Sequence, residues 1–382
     1  MTSRERLLTS LNFREPDRIP IDLASTQVTG ISIKAYQKLC DFLGVQTNDI
    51  NICDAIQQIC VPNDVIMHKF GIDTRGLFPL TSHNDFIDED DGEYLSHVDE
   101  WGLSYRYKKG ESLWYDLYQS PLSGIELSKQ IVENHNWQRG DRADRFEGLK
   151  ATAKKYRESG YAVVLKSICA GLLEMAIRLR GMEDCLMDLL INKKNAGYLL
   201  DKILQVKLEY WEAVLNEMGD LVDVIAEGDD FGTQTSQLIS FETYNEMIRP
   251  RQKELISFMK KLAPNAQVFF HSCGNIREFL PDFIDMGIDI INPVHITASG
   301  MEPEQLKKDF GRDIVFWGGG IDTQGTLPNG SPDQVRDEVK RNIDALAPGG
   351  GFVFNTIHNI QADVPPENIL AMYETVLEYG KY

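Results

Sequence analysis

The sequence predicts an α/β protein folded as a single (β/α)8 barrel over residues 1–382. Three observations lead there. Eight short apolar, β-branched runs, near residues 20, 74, 163, 224, 269, 290, 315 and 354, alternate with helical periodicities. No dinucleotide-type glycine fingerprint is present, which disfavours a doubly wound sheet. Residues able to do chemistry collect just after the strands, where a barrel of this TIM type keeps its ligand site.

Taken in order, residues 3–12 have helical spacing and end before Pro16-Asp17-Arg18, and Ile19-Pro20-Ile21-Asp22-Leu23 reads as a first strand. Ile33, Tyr36, Leu39 and Cys40 mark a helix over 32–43 that Gly44 closes. A helix over 63–70 stops at Gly71 and leads into a strand over 72–77. Residues 82–122 depart from this rhythm. An acidic run (Asp85, Asp88, Glu89, Asp90, Asp91, Glu93) precedes Asp99-Glu100-Trp101-Gly102, and alternating aromatics surround a Lys108-Lys109-Gly110 turn. That pattern describes an aromatic hairpin insertion, either packed on the scaffold or walling a ligand.

Alternation resumes with a helix over 144–159 and the strand Tyr161-Ala162-Val163-Val164-Leu165-Lys166. A long helical region over 172–217 is interrupted at Gly181, and a strand over 221–226 empties into Glu227-Gly228-Asp229-Asp230. Helices over 241–262, 276–286, 303–310 and 332–346 then separate strands over 267–270, 288–292, 313–317 and 352–356, before a closing helix from 366. Neither Gly318-Gly319-Gly320 nor Gly349-Gly350-Gly351 is followed by Lys-Ser/Thr, so both read as tight turns rather than phosphate cradles.

Composition narrows the function. A formal charge of -19 repels phosphate backbones and anionic membrane surfaces, so neither nucleic acid nor membrane is expected as a partner. The first residues lead directly into an amphipathic segment, no apolar run reaches membrane-spanning length, and six cysteines are scattered without a paired framework. A cytoplasmic protein is the expectation.

The strand near 269 runs into Phe269-Phe270-His271-Ser272-Cys273-Gly274. In extended chain, residues i and i+2 share a face, which puts the His271 imidazole beside the Cys273 sulfur. The other strand ends contribute Glu227, Asp229 and Asp230; Asn292 and His295; Asp322 and Gln324; and His358, Asn359 and Gln361. His271, Cys273 and His358 make a borderline-soft set suited to Zn2+, with Glu227 or Asp229 available as a fourth donor or anchor. The bland alternative is that His271 and Cys273 are merely packed at a barrel top. Asp229 and Asp230 suit substrate positioning better than magnesium, because adjacent carboxylates diverge.

Together Phe270-His271-Ser272-Cys273-Gly274, the Gly228-Asp229-Asp230-Phe231-Gly232-Thr233-Gln234 loop, Trp317-Gly318-Gly319-Gly320-Ile321-Asp322-Thr323-Gln324 and His358-Asn359-Ile360-Gln361 through Pro365-Pro366-Glu367-Asn368 resemble the uroporphyrinogen decarboxylase superfamily. The resemblance implies a single barrel. Within the superfamily the decarboxylase grips its substrate's carboxylates with amino-terminal arginines, but residues 19–30 contain none and Arg18 is the nearest candidate. The chain is more similar to the cobamide-dependent methyltransferase branch, where a His-x-Cys pair binds zinc with a further ligand after the last strand. That ligand is often Cys; here His358 stands at the matching place.

The resemblance implies bound zinc, a corrinoid carried by a partner protein, and methyl transfer involving a small methyl ether, methylamine or thiol. Glu227, Asp229 or Asp230 would orient substrate or ligand, while Asn292, His295, Asp322, Gln324 and the hairpin's Trp101 would contact the substrate. Two rivals stand beside this expectation: a decarboxylase-type carboxy-lyase acting on a porphyrin precursor, and a non-catalytic tetrapyrrole-binding barrel. The sequence leaves a homodimer open.

Overall fold

The computed structural model describes residues 1–47, 49–82 and 86–382; Asp85, the first carboxylate of the acidic run, lies outside the described residues. A parallel sheet of seven strands forms the frame: Thr74–Leu77, Ala162–Lys166, Val224–Gly228, Gln267–His271, Ile290–Asn292, Val315–Trp317 and Phe352–Val353, neighbours in that order. The expected first strand closes the ring without forming a ladder of its own. Ile21 bridges Phe354 in parallel, Asp22 N donates to Phe354 O at 2.9 Å, and Asp73 N donates to Ile21 O at 2.9 Å. Pro20 offers no N–H to either neighbour, so pairing there is confined to a few bonds.

Strand alternation decides what the barrel holds. Ala162, Val164, Val224, Ala226, Phe269, Ile290, Val315, Trp317 and Val353 pack together in the interior. Their neighbours Val163, Leu165, Ile225, Val268, Phe270, Ile291 and Phe316 belong to the layer beneath the outer helices. Helix Ser3–Leu11 plugs the amino-terminal end, contributing Leu7 and Leu11 to the interior cluster. Each such large apolar side chain, fully buried, stabilises the fold by about 1.5–3 kcal/mol. A capping box starts this helix: Thr2 Oγ1 accepts from Glu5 N at 3.2 Å, and Thr2 N donates to Glu5 Oε2 at 2.8 Å.

Several elements differ from expectation. The strand expected over 221–226 runs from Val224 through Gly228, because Gly228 pairs with His271; Glu227 therefore sits in the ladder. The region over 172–217 breaks at Asn192 as well as Gly181, giving helices Leu172–Arg180, Met182–Ile191 and Lys193–Met218. In place of one hairpin, residues 89–119 form a four-stranded antiparallel meander, Glu89–Asp90, Tyr94–Val98, Ser104–Lys108 and Asp116–Gln119. A three-stranded antiparallel sheet of Ile31–Ser32, Asn51–Asp54 and Ile59–Val61 was not legible, since strands this short show no periodicity. Before Pro250, the helix over 241–262 passes through a π turn at Tyr244–Ile248. No helix among the described residues is long and apolar enough to cross a membrane.

Candidate metal centre and pocket

Inward parity carries His271 up from Phe269, and Asn292 up from Ile290, to the carboxyl mouth. Gly228 faces His271 across the ladder, where a Cβ would come within 2.8 Å of the His271 Cβ. Asn292 fixes the histidine's tautomer. Its Nδ2 donates to Trp317 O at 2.8 Å, which leaves Oδ1 to accept from His271 Nδ1–H at 2.6 Å. The lone pair of His271 Nε2 is thereby aimed at Cys273 Sγ, 3.4 Å away. His358 completes the group: its ring crosses that of His271 with centroids 5.5 Å apart, and the three donor atoms lie within 4.8 Å of one another.

These residues fit zinc. Two tetrahedral ligands at ordinary Zn–S and Zn–N distances stand roughly 3.5 Å apart, close to the Cys273–His271 separation. Burial and the neighbouring His271 and His295 imidazoles push the His358 pKa down to about 3, so the ring stays neutral and keeps a lone pair to donate. Burial, reinforced by Asp230 and Glu174, raises the Cys273 thiol well above its ordinary range. A cation would reverse that shift by favouring the thiolate.

The proposed acids part company here. Asp230 stands at the cluster: its Oδ1 accepts from Cys273 N at 2.8 Å and lies 3.9 Å from His271 Nε2. Burial raises its pKa against the opposing pull of His271. Asp229, considered as a fourth donor, instead caps helix Leu172–Arg180 by accepting from Leu173 N and Glu174 N at 2.8 Å each. Only glycine fits opposite it, since a Cβ on Gly171 would stand 2.2 Å from that of Asp229. Glu227 has outward parity and pairs with the buried Lys207 at 2.9 Å, also accepting from Trp211 Nε1 and Ser167 Oγ, although it still borders the pocket. His295 Nδ1 accepts from Gly274 N at 3.0 Å and holds the turn after Cys273.

The other residues expected to contact substrate scatter. Gln324 takes a hydrogen bond from Gln234 at the rim, and Asp322 Oδ1 accepts from Gln324 N. Trp101 is buried edge-on to Trp137, outside the main pocket. That pocket has a volume of about 160 Å3 and reaches from His271 and His358 down to Phe269 and Ala226. Sequence reasoning missed Lys166, Glu174, Arg178 and Asp54 in its wall. Lys166 alone had a signal: it ends a predicted strand.

A barrel with a His/Cys/His donor cluster at its carboxyl mouth is the class that fold and site define. The family model for uroporphyrinogen decarboxylase (URO-D) matches residues 117–379, more than half of the chain. The chain belongs to that family. It is 29% identical over 190 residues to a uroporphyrinogen decarboxylase of Chlorobium phaeobacteroides, a match covering 48% of this chain and 49% of the relative. The chain thus spans about half the length of the first curated relatives it matches. A uroporphyrinogen decarboxylase of Vesicomyosocius okutanii is 20% identical over 87% of both chains. Among solved structures, a methyltransferase from Methanosarcina mazei superposes over 99% of both chains with a TM-score of 0.64 at 19% identity, which shows a shared fold.

Proposed function

We propose that this protein is a zinc-dependent methyltransferase that moves a methyl group between a small substrate and the corrinoid of a partner protein. The observation that carries the reading is the convergence of His271, Cys273 and His358 with Asn292 locking the His271 tautomer. Zinc, when bound, would supply Lewis acidity at the substrate's heteroatom. Asp230 stands beside that position and is suited to orient a donor hydrogen of the substrate. Phe269, Ala226, Ile168 and Val28 add apolar surface to a wall that is otherwise polar.

Pocket size and the commitment of Arg18 favour this reading over a carboxy-lyase acting on a tetrapyrrole. A volume of about 160 Å3 suits a ligand the size of one ring; a cavity of about 150 Å3 holds benzene. Arg18, the nearest arginine to the amino-terminal loop, is committed at the opposite end of the barrel, to Asp73 at 2.7 and 3.0 Å and to Gly71 O. Metal analysis and methyl transfer from methylcobalamin test the proposal together. One zinc per chain is expected, with both metal and transfer lost in His271→Ala. Transfer that persists without zinc would refute the mechanism.

A further inference from the structure

Two lysines are buried on opposite faces of the barrel wall, and their surroundings differ. Lys207 is fully buried with its ammonium satisfied: Glu227 Oε2 lies 2.9 Å away, Ala170 O 2.9 Å and Ser167 Oγ 3.2 Å. Lys166 is only 4% exposed, yet its ammonium donates no hydrogen bond and enters no ion pair among the described residues. The ring of Phe78 lies 6.0 Å from Nζ. Parity gives the side chain its direction. Ala162 and Val164 point into the barrel interior, so Lys166, two residues further on, points up that interior into the pocket it lines.

Charges on side chains this deeply set are ordinarily paired, whereas the Lys166 ammonium opens onto the pocket. Among the described acids of the pocket wall, Glu174 and Glu227 have cationic partners, whereas Asp54 and Asp230 accept from neutral donors. Glu174 is bound to Arg178 at 2.6 Å, Glu227 to Lys207, Asp54 accepts from Gln57, and Asp230 from Cys273 N. We infer that Lys166 is the anchor for an anionic group of the substrate, and that the methyl-bearing molecule is a small acid rather than a neutral ether, amine or alcohol. This rests on the pocket being the substrate site of the proposed methyltransferase.

The placement suits a ligand held at two ends. The strands bearing Lys166 and His271 flank Val224–Gly228, with Lys166 in register with Ala226 and His271 with Gly228. Two strand spacings put their Cα atoms roughly 10 Å apart or a little more. A molecule of a few heavy atoms beyond its carboxylate spans the gap left by the two side chains. Lysine presents a point charge, so it sets the sign of the ligand's end group without dictating its shape.

Calorimetric titration of the zinc-loaded protein with methoxyacetate and with its neutral counterpart methoxyacetamide tests this. The acid should bind at least about ten-fold more tightly than the amide, as a charge-assisted hydrogen bond provides, and Lys166→Met should abolish the difference. Lys166→Met should also keep its zinc and melt no lower than wild type, because an uncompensated charge has been removed; Lys207→Met should melt lower. The inference is overturned if acid and amide bind alike, if neither binds, if Lys166→Met binds the acid as wild type does, or if it melts as low as Lys207→Met. The acid-against-amide comparison needs no variant, so a folding defect does not obscure the answer. Absence of zinc in wild type would instead count against the methyltransferase reading, and leaves the anion preference measurable.

Discussion

At the amino-terminal end of the barrel, three aspartates stand one position ahead of strands and repeat one arrangement. Asp73 accepts from Ile21 N at 2.9 Å and pairs with Arg6 and Arg18, both at 2.7 Å. Asp223 accepts from Val163 N and pairs with Arg4; Asp289 accepts from Val268 N and pairs with Lys260. Each carboxylate thus clamps the start of the neighbouring strand and carries its own counter-charge. The carboxyl mouth is built the other way. His271 Nε2, the Cys273 sulfur and His358 face one another, and Lys166 enters no ion pair among the described residues. One end commits its carboxylates to strand starts, whereas the other, besides its committed acids, keeps a His/Cys/His cluster open to the pocket.

That contrast can be broken at either end. The largest effect on stability is expected from Asp73→Ala, which strands two arginines and frees a strand start; a loss of about 3–5 kcal/mol should appear in denaturant unfolding, with zinc content per folded chain unchanged. Asn292→Ala should do the reverse. It leaves the fold near wild type and weakens zinc about 10–100-fold, read by competition with a chelator, because the His271 tautomer is no longer held. The neighbouring acids sharpen the distinction: Asp229→Ala should cost about 1 kcal/mol through the lost helix cap without altering zinc affinity, whereas Asp230→Ala should alter zinc or substrate binding with little change in melting.

The smallest effect concerns a lysine beneath the barrel. Burial lowers Lys307 to about 8, its ammonium donating to Gly350 O at 2.6 Å. The folded protein releases this proton near pH 8, while the unfolded chain holds it to about 10.4. Between those values the unfolded state binds more protons, so this group makes stability rise with pH. Lys307→Met should flatten that rise, measured as wild-type minus variant melting temperature from pH 7.5 to 10.

Legibility followed length and period. Helices Pro303–Phe310 and Pro332–Leu346 stand where Pro, Ser331 and the apolar spacing put them, and the seven strands of the parallel sheet overlap the apolar runs that predicted them. His271 and Cys273 were paired by two-residue alternation alone. The antiparallel strands at Asn51–Asp54 and Ile59–Val61 carry no such signal, although they bring Asp54 to the pocket. Asp229 and Asp230 illustrate the limit: adjacent, identical side chains were equally plausible at the site, and the Leu172–Arg180 helix start claims one of them.

By itself, then, the sequence determined the alternation of strands and helices, the end of the barrel at which chemistry gathers, and the His-Ser-Cys pair within it, because these follow from periodicities of two and 3.6 residues along a local chain. Tertiary structure alone decided which polar groups are left over. Whether a carboxylate serves a backbone amide, a buried lysine or a ligand depends on partners such as Lys207 for Glu227 and Trp317 for Asn292, which are distant in sequence for Asn292 and a helix away for Glu227. The unpaired ammonium of Lys166 is the clearest case: its meaning lies in the absence of a neighbour among the described residues, and only the packed barrel settles who the neighbours are.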